Sequence, residues 1–255
     1  MPKSPIKAEP AARIQFYTVA SIAVVTQLIC SLIHEVIGHA LAVELVGGHL
    51  LHFSNADADY SGNGLTAGAI RMINAAGIVM NLVFGFIVLT IFRLLSNLSG
   101  NMKYFLWLLG HVNLFIGGGY MLALSFAGFG DVDQFVEGLA YPTIWKVAFT
   151  LLGVLISFSA LKHGVKTLDP FLGDDYAERR RRGRALTLIP YLLSGIVSVT
   201  AGLFNPVGMV LVAISAAASS FPESGEKSVF SCGAIILISI SVRKLHNPQI
   251  KPGKY

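Results

Sequence analysis

The chain has 255 residues, 54% of them hydrophobic and 13% charged, with a net charge of +5 and a mean hydropathy of +0.66. Soluble domains carry about 45–50% apolar and about 25% charged residues, so this composition excludes a disordered chain, a coiled coil and nearly every soluble enzyme. It predicts an all-α polytopic membrane protein with about six transmembrane helices of about 20 residues each. Neither a G-x-x-x-x-G-K-[ST] loop nor a strand–GxGxxG–helix unit occurs, so nucleotide-phosphate chemistry is not indicated.

The polar segment 1–13 carries Lys3, Lys7 and Arg13. The first apolar stretch, Ile14–Val46, would reach roughly 50 Å as one helix, so it is expected to be tilted, broken or partly outside the hydrocarbon. Gly47–Arg71 is glycine-rich and too polar to span; it predicts a short hairpin or loop at the membrane surface. Three further apolar stretches follow at Met72–Leu95, Tyr104–Phe126 and Ile144–Leu161. Residues 162–185 read as a basic linker, densest at Arg179, Arg180, Arg181, Arg182 and Arg184. Leu186–Phe221 counts as one crossing, interrupted by the turn- or kink-forming Asn205-Pro206. Val229–Val242 is the last apolar stretch, before a polar basic tail at 243–255. No cleavable signal is expected. Cys30 and Cys232 lie in separate apolar stretches and make no disulfide framework.

Lys and Arg concentrate before the first stretch, around the second connection (Arg93, Lys103) and in the basic linker. If the stretches alternate in direction, all three regions fall on one side, which predicts a cytoplasmic N-terminus. A short basic run beside apolar helices serves membrane topology rather than nucleic-acid binding. The expected surroundings are the lipid bilayer of a bacterial inner membrane or an organelle membrane.

One segment carries chemistry: His34-Glu35-Val36-Ile37-Gly38-His39, inside an apolar stretch. Ionisable groups at membrane depth are expensive and mark function by default. Two histidines and a glutamate are the parts of a zinc hydrolase: imidazoles bind the metal, and the carboxylate takes a proton from the metal-bound water. In the usual H-E-x-x-H spacing the histidines stand four apart on one helix face. Here they stand five apart, about 140° around a regular helix. A π-bulge, which absorbs one residue, would realign them, and Gly38 loosens the segment. The soluble dipeptidyl peptidase III family, which this segment resembles, has an H-E-L-L-G-H motif with the same extra residue and binds zinc through both histidines.

His34 through Ala40, followed by Val46-Gly47-Gly48, also resembles the H-E-x-x-H-A helix and following glycine pair of the site-2 protease family, intramembrane zinc metallopeptidases, in its compact bacterial and plant branch. Ala76-Gly77-Ile78-Val79-Met80-Asn81 is similar to that family's A-G-P-x-x-N segment, with isoleucine where proline is usual. Asn113 through Gly130-Asp131-Val132-Asp133 occupies the place of its asparagine-then-Asp-Gly motif, without the usual proline and following glycine. The resemblance covers roughly 14–140, a metalloprotease-like membrane core; residues 141–242 would add further transmembrane helices.

The resemblance implies that His34 and His39 are zinc ligands, that Glu35 is the general base, and that Asp131 is the third ligand, with Asp133 a close competitor. Asn81 would hydrogen-bond the substrate backbone or a developing oxyanion; a helix–helix hydrogen bond is the other reading. His49 and His52 read as surface-loop residues, His111 and Asn113 as polar groups within a helix, and Gly117-Gly118-Gly119 as a site of close helix packing. The implied activity is hydrolysis of peptide bonds in membrane-embedded substrates. The alternatives are a non-proteolytic transporter or scaffold, a lipid hydrolase, and a protease fold that binds clients without cutting.

Overall fold

The computed structural model describes residues 15–53 and 58–202. The chain is an all-α membrane protein with one small hairpin. Helix α1 (Phe16–Leu32) runs without a break into a π-helical segment (Ile33–Ala40) and the short α2 (Leu41–Leu45). Strands β1 (His49–Phe53) and β2 (Ala58–Ser61) pair antiparallel, with Leu50 opposite Tyr60 and a bulge before His52. Next come α3 (Ala67–Leu94), α4 (Gly100–Gly119) with a π-helical end at Tyr120–Leu124, α5 (Asp131–Val136), α6 (Pro142–Leu168) and α7 (Tyr176–Gly202).

Four helices among the described residues are long and apolar enough to cross a membrane: Phe16–Leu45, Ala67–Leu94, Gly100–Leu124 and Pro142–Phe171. The expected count of six would also need Leu186–Phe221, which runs past the described residues, and Val229–Val242, which lies outside them. Asn205-Pro206, Cys232, the segment 1–13 and the tail 243–255 also lie outside the described residues.

Two boundaries differ from expectation. Helix α3 starts at Ala67 rather than Met72, because Thr66 caps it by accepting from the Ala69 amide at 3.2 Å. Arg71 is tolerated in its first turns because its Nη2 donates to the Glu137 carbonyl at 3.2 Å. The basic linker is mostly helix. Helix α6 continues to Leu168, a 3-10 turn follows at Asp169–Phe171, and α7 opens at Tyr176. Helix α6 runs on past Leu161 because Trp107 Nε1 donates to Thr167 at 2.9 Å and His111 meets His163 at 3.0 Å, tying its end to α4. Two arginines of α7 are compensated locally: Arg182 pairs with Glu178 at 2.7 Å, and Arg179 pairs with Asp169.

Helix α3 packs against α4 and the first π segment, α4 against α1 and α6, and α1 against α7. One buried cluster joins the start of α1 (Val19, Ala23), the start of α4 (Tyr104, Trp107) and the α6–α7 corner (Leu168, Phe171, Leu186). The basic regions within the described residues therefore share one end of the bundle, as the charge pattern predicts. Small residues let the helices close. A Cβ on Gly117 would meet Leu82 Cδ2 at 2.7 Å, and one on Gly118 would meet Ser157 Oγ at 2.7 Å; Gly119 faces open space. Large apolar side chains such as Leu32, Phe86, Leu155 and Phe158 are left exposed on the bundle, as lipid contact requires.

The tightest approach is between Gly38 and α3, where a Cβ on Gly38 would lie 2.5 Å from the Gly77 Cα. Backbone cannot yield there as a flexible side chain can. Gly38→Ala is expected to destabilise the protein by about 1–3 kcal/mol in detergent unfolding, an overpacking penalty. Gly119→Ala should be neutral or slightly stabilising.

Candidate metal centre

The π-helical segment positions the two histidines. Its hydrogen bonds reach five residues back rather than four, so a residue five positions on returns to the same face. His34 and His39 therefore project together, as the expectation of a bulge required, and the segment extends over eight residues. His34, Glu35 and His39 are 3%, 7% and 7% exposed. The space for their rings comes from α3. A Cβ on Gly77 would fall 2.7 Å from His34 Nε2, and it would collide with His39 Nε2.

Both imidazoles are oriented from behind. His34 Nδ1 meets Asn81 Oδ1 at 2.6 Å, and His39 Nδ1 meets the Ile73 carbonyl at 2.8 Å. A carbonyl only accepts, so His39 Nδ1 carries its proton. The amide of Asn81 is fixed the same way: its Nδ2 donates to the Cys30 carbonyl at 3.2 Å and to Asn113 Oδ1 at 2.8 Å. This leaves Oδ1 to accept from His34. In the neutral rings both Nε2 atoms then carry lone pairs, and they face each other at 3.2 Å.

Asp131 supplies a third acceptor. Gly130, at φ 86°, turns the chain in a conformation only glycine adopts easily, and Asp131 opens α5 directly after it. Its Oδ2 lies 3.1 Å from His34 Nε2 and 3.4 Å from His39 Nε2. Burial works against ionisation of Asp131, but hydrogen bonds from the two histidines outweigh it and hold the carboxyl below its usual range. Those hydrogen bonds need a proton on Nε2; with both rings neutral and protonated at Nδ1, three acceptors converge instead, an arrangement that repels itself unless a cation sits among them. Tetrahedral coordination with metal–ligand bonds near 2.0–2.2 Å places donors roughly 3.3–3.6 Å apart, and the three separations observed, 3.1, 3.2 and 3.4 Å, lie at or just below that range. The group His34, His39 and Asp131 can hold a metal ion.

Asp133, the competitor for the third position, is not part of this group. It points to α6, where it forms an ion pair with Lys146. Asn81 sits behind His34, fully buried, with its amide committed to His34, Cys30 and Asn113. That is the position of a residue that orients a ligand. Glu35 lies beside His34 in the chain and acts electrostatically on His39. His49 and His52 are exposed on β1 and join no metal-holding group among the described residues. His111 bonds the Trp107 carbonyl at 2.6 Å and His163 at 3.0 Å, between α4 and α6 and away from the centre.

Two neighbours escaped the sequence reading. The Tyr120 ring leans on His34 with centroids 4.5 Å apart, and it packs with Ile78, Met121 and Val132. Within an apolar stretch a tyrosine carries no distinguishing signal. Asn74 is buried at 4% exposure; its signal was its polarity within a helix, one turn ahead of Gly77.

His39→Ala and Asp131→Ala are each expected to abolish stoichiometric metal binding, measured by elemental analysis of the detergent-purified protein, whereas Asp133→Ala should retain it. Asn81→Ala should keep the stoichiometry but weaken affinity about 10–100-fold in chelator competition.

Compared with known proteins, the chain matches no family model, no curated protein and no solved structure.

Proposed function

We propose that the protein is an intramembrane zinc metallopeptidase that hydrolyses peptide bonds of membrane-embedded substrates, within a bacterial inner membrane or an organelle membrane. The observation that carries this reading is the convergence of two imidazole nitrogens and one carboxylate oxygen at 3.1–3.4 Å, with a buried glutamate adjacent in the chain. Two nitrogens and one oxygen with tetrahedral spacing suit zinc, and three protein ligands leave a fourth position open, as in catalytic rather than structural sites. Octahedral, all-oxygen ions such as magnesium are poorly matched by this donor set.

His34, His39 and Asp131 would hold the ion. When bound, zinc polarises a carbonyl and lowers the pKa of water to about 7. Glu35 takes the proton from the attacking water and returns it to the leaving amine, the general base and acid role. Asn81 and the Ile73 carbonyl hold the two imidazoles in the tautomer that presents Nε2. Burial strengthens each of these electrostatic interactions. A substrate helix hides its own peptide bonds, so it must unwind locally to present one to Glu35.

The test is cleavage of a single-span substrate library reconstituted with the zinc-loaded protein, with products read by mass spectrometry. Glu35→Gln is expected to keep zinc and lose about 10²–10⁴-fold in rate. Cleavage that Glu35→Gln leaves intact, or a zinc-loaded wild type that cuts nothing in the library, overturns the reading.

A further inference from the structure

Helices α1 and α7 run parallel: Gln27 Nε2 donates to Ser198 Oγ at 3.2 Å, and Val19 packs in one cluster with Leu186, Ile189 and Leu193. Between their first turns lies a cavity of about 540 Å³, with Phe171 of the 3-10 turn as a third wall. Helix α7 lines it with Glu178, Arg181, Arg182, Ala185, Leu186 and Ile189. Their i, i+3, i+4 spacing puts all six on one helix face. Along that face the lining passes from charged, through one small residue, to apolar. The α1 wall changes in the same direction, from Gln15 to Phe16 and Val19. Arg181 is exposed, whereas Val19 and Leu186 are buried in the core, so the cavity has a cationic mouth and an apolar floor.

Height and charge indicate what such a cavity takes. Twelve residues before the Gln27–Ser198 bond stand Gln15 and Leu186, so in parallel helices these two lie at about the same level. The membrane-spanning stretch of α1 begins at Phe16. Arg181 and Arg182 precede Leu186 by five and four residues, which puts them roughly 6–8 Å outside that level. The headgroup layer is about 5–8 Å deep on each side of the hydrocarbon. The two guanidiniums therefore stand at headgroup depth, while Val19 and Ile189 reach acyl-chain depth. Arg182 is engaged within the fold: it pairs with Glu178 at 2.7 Å, and its Nη1 reaches the Phe171 carbonyl at 3.5 Å. That pairing compensates Glu178, and Arg181 has no acidic partner among the described residues. The mouth thus carries one positive charge in excess. The charge pattern predicts that this end faces the cytoplasm, whose leaflet is the anionic one.

We propose that this cavity binds an anionic phospholipid, with the phosphate on Arg181 and an acyl chain against Phe16, Val19 and Ile189. Both parts of the lining are then used. A free phosphate would leave the apolar floor uncovered, and a zwitterionic headgroup would bring its own cation to a mouth that is already positive. The site is independent of the metal centre and of the hydrolase reading above.

In the experiment, the full-length protein, delipidated in detergent, is titrated with phosphatidylglycerol or with phosphatidylcholine of the same acyl chains, and bound lipid is read by native mass spectrometry. Wild type is expected to bind phosphatidylglycerol about fivefold more tightly than phosphatidylcholine. Arg181→Gln should bind phosphatidylglycerol about fivefold more weakly and lose the preference. Arg180→Gln removes the same charge from the neighbouring residue, which does not line the cavity, and should bind as wild type does. Ala185→Phe fills the cavity without changing charge and should exclude the lipid. Thermal unfolding without lipid is followed for each variant. Arg180 and Arg181 are both exposed, so their comparison decides the proposal even if Ala185→Phe fails to fold. Equal weakening by Arg180→Gln means diffuse surface charge and overturns the site. A folded Ala185→Phe that still binds places the lipid elsewhere and overturns it too. Inorganic phosphate that displaces the lipid at equal concentration shows a site for the anion alone. Equal affinity for the two lipids overturns the headgroup assignment, and no retained lipid means the cavity is filled from within the chain.

Discussion

Three acceptor atoms, Nε2 of His34, Nε2 of His39 and Oδ2 of Asp131, meet within 3.1–3.4 Å in a buried site. No proton lies between them when the rings are neutral and both Nδ1 atoms donate outward. Bringing them together without a compensating positive charge is costly at low dielectric. The surrounding structure is arranged around that meeting point. The π segment places both rings on one face, Gly77 clears their path, Asn81 and Ile73 fix the tautomers, and Gly130 turns Asp131 inward.

The same constraint explains the helix packing nearby. Rings that touch α3 directly need the α1–π helix to lie against it at backbone distance, and Gly38 facing Gly77 permits this. Membrane helices associate through such small-residue contacts because lipid offers no hydrophobic drive between them. Close packing here therefore serves two purposes, holding the bundle and seating the two imidazoles. At the opposite end of the bundle, aromatic residues Tyr104 and Trp107 of α4 pack with α1 and the α6–α7 corner, where Arg179 and Arg182 form ion pairs with Asp169 and Glu178. Helix α1 separates His34 from Phe16 by roughly 27 Å, so the two ends of the molecule have separate chemistries.

Much of this was legible in the residues. Composition identified a helical membrane protein, and the five-residue spacing of His34 and His39 required a π distortion that the structure contains. Asp131 was named among two candidates, but nothing in the sequence separated it from Asp133. The separation comes from Lys146, thirteen residues on, which captures Asp133 and leaves Asp131 for the histidines. The place of Asn81 was legible and its hydrogen bonds were not, since Cys30 and Asn113 become its neighbours only when three helices meet. The basic linker misled because charge density resembles a loop. Its lysines and arginines sit on helices whose ends are tied by Thr167, His163 and Asp169.

Helix α5 is six residues long and lies between Gly130 at φ 86° and Gly138 at φ 70°. A helix this short has little stability of its own. Its anchors are Val132 and Val136 in the core, the Arg71 contact, and Asp131. A cation gripped by Asp131 and the two histidines would therefore join two segments far apart in sequence, the π segment and α5, as a disulfide does in a secreted protein, but reversibly. By mass action such a ligand stabilises the folded chain. The cellular supply of the ion would then govern how long the protein survives proteolytic surveillance as well as whether it works.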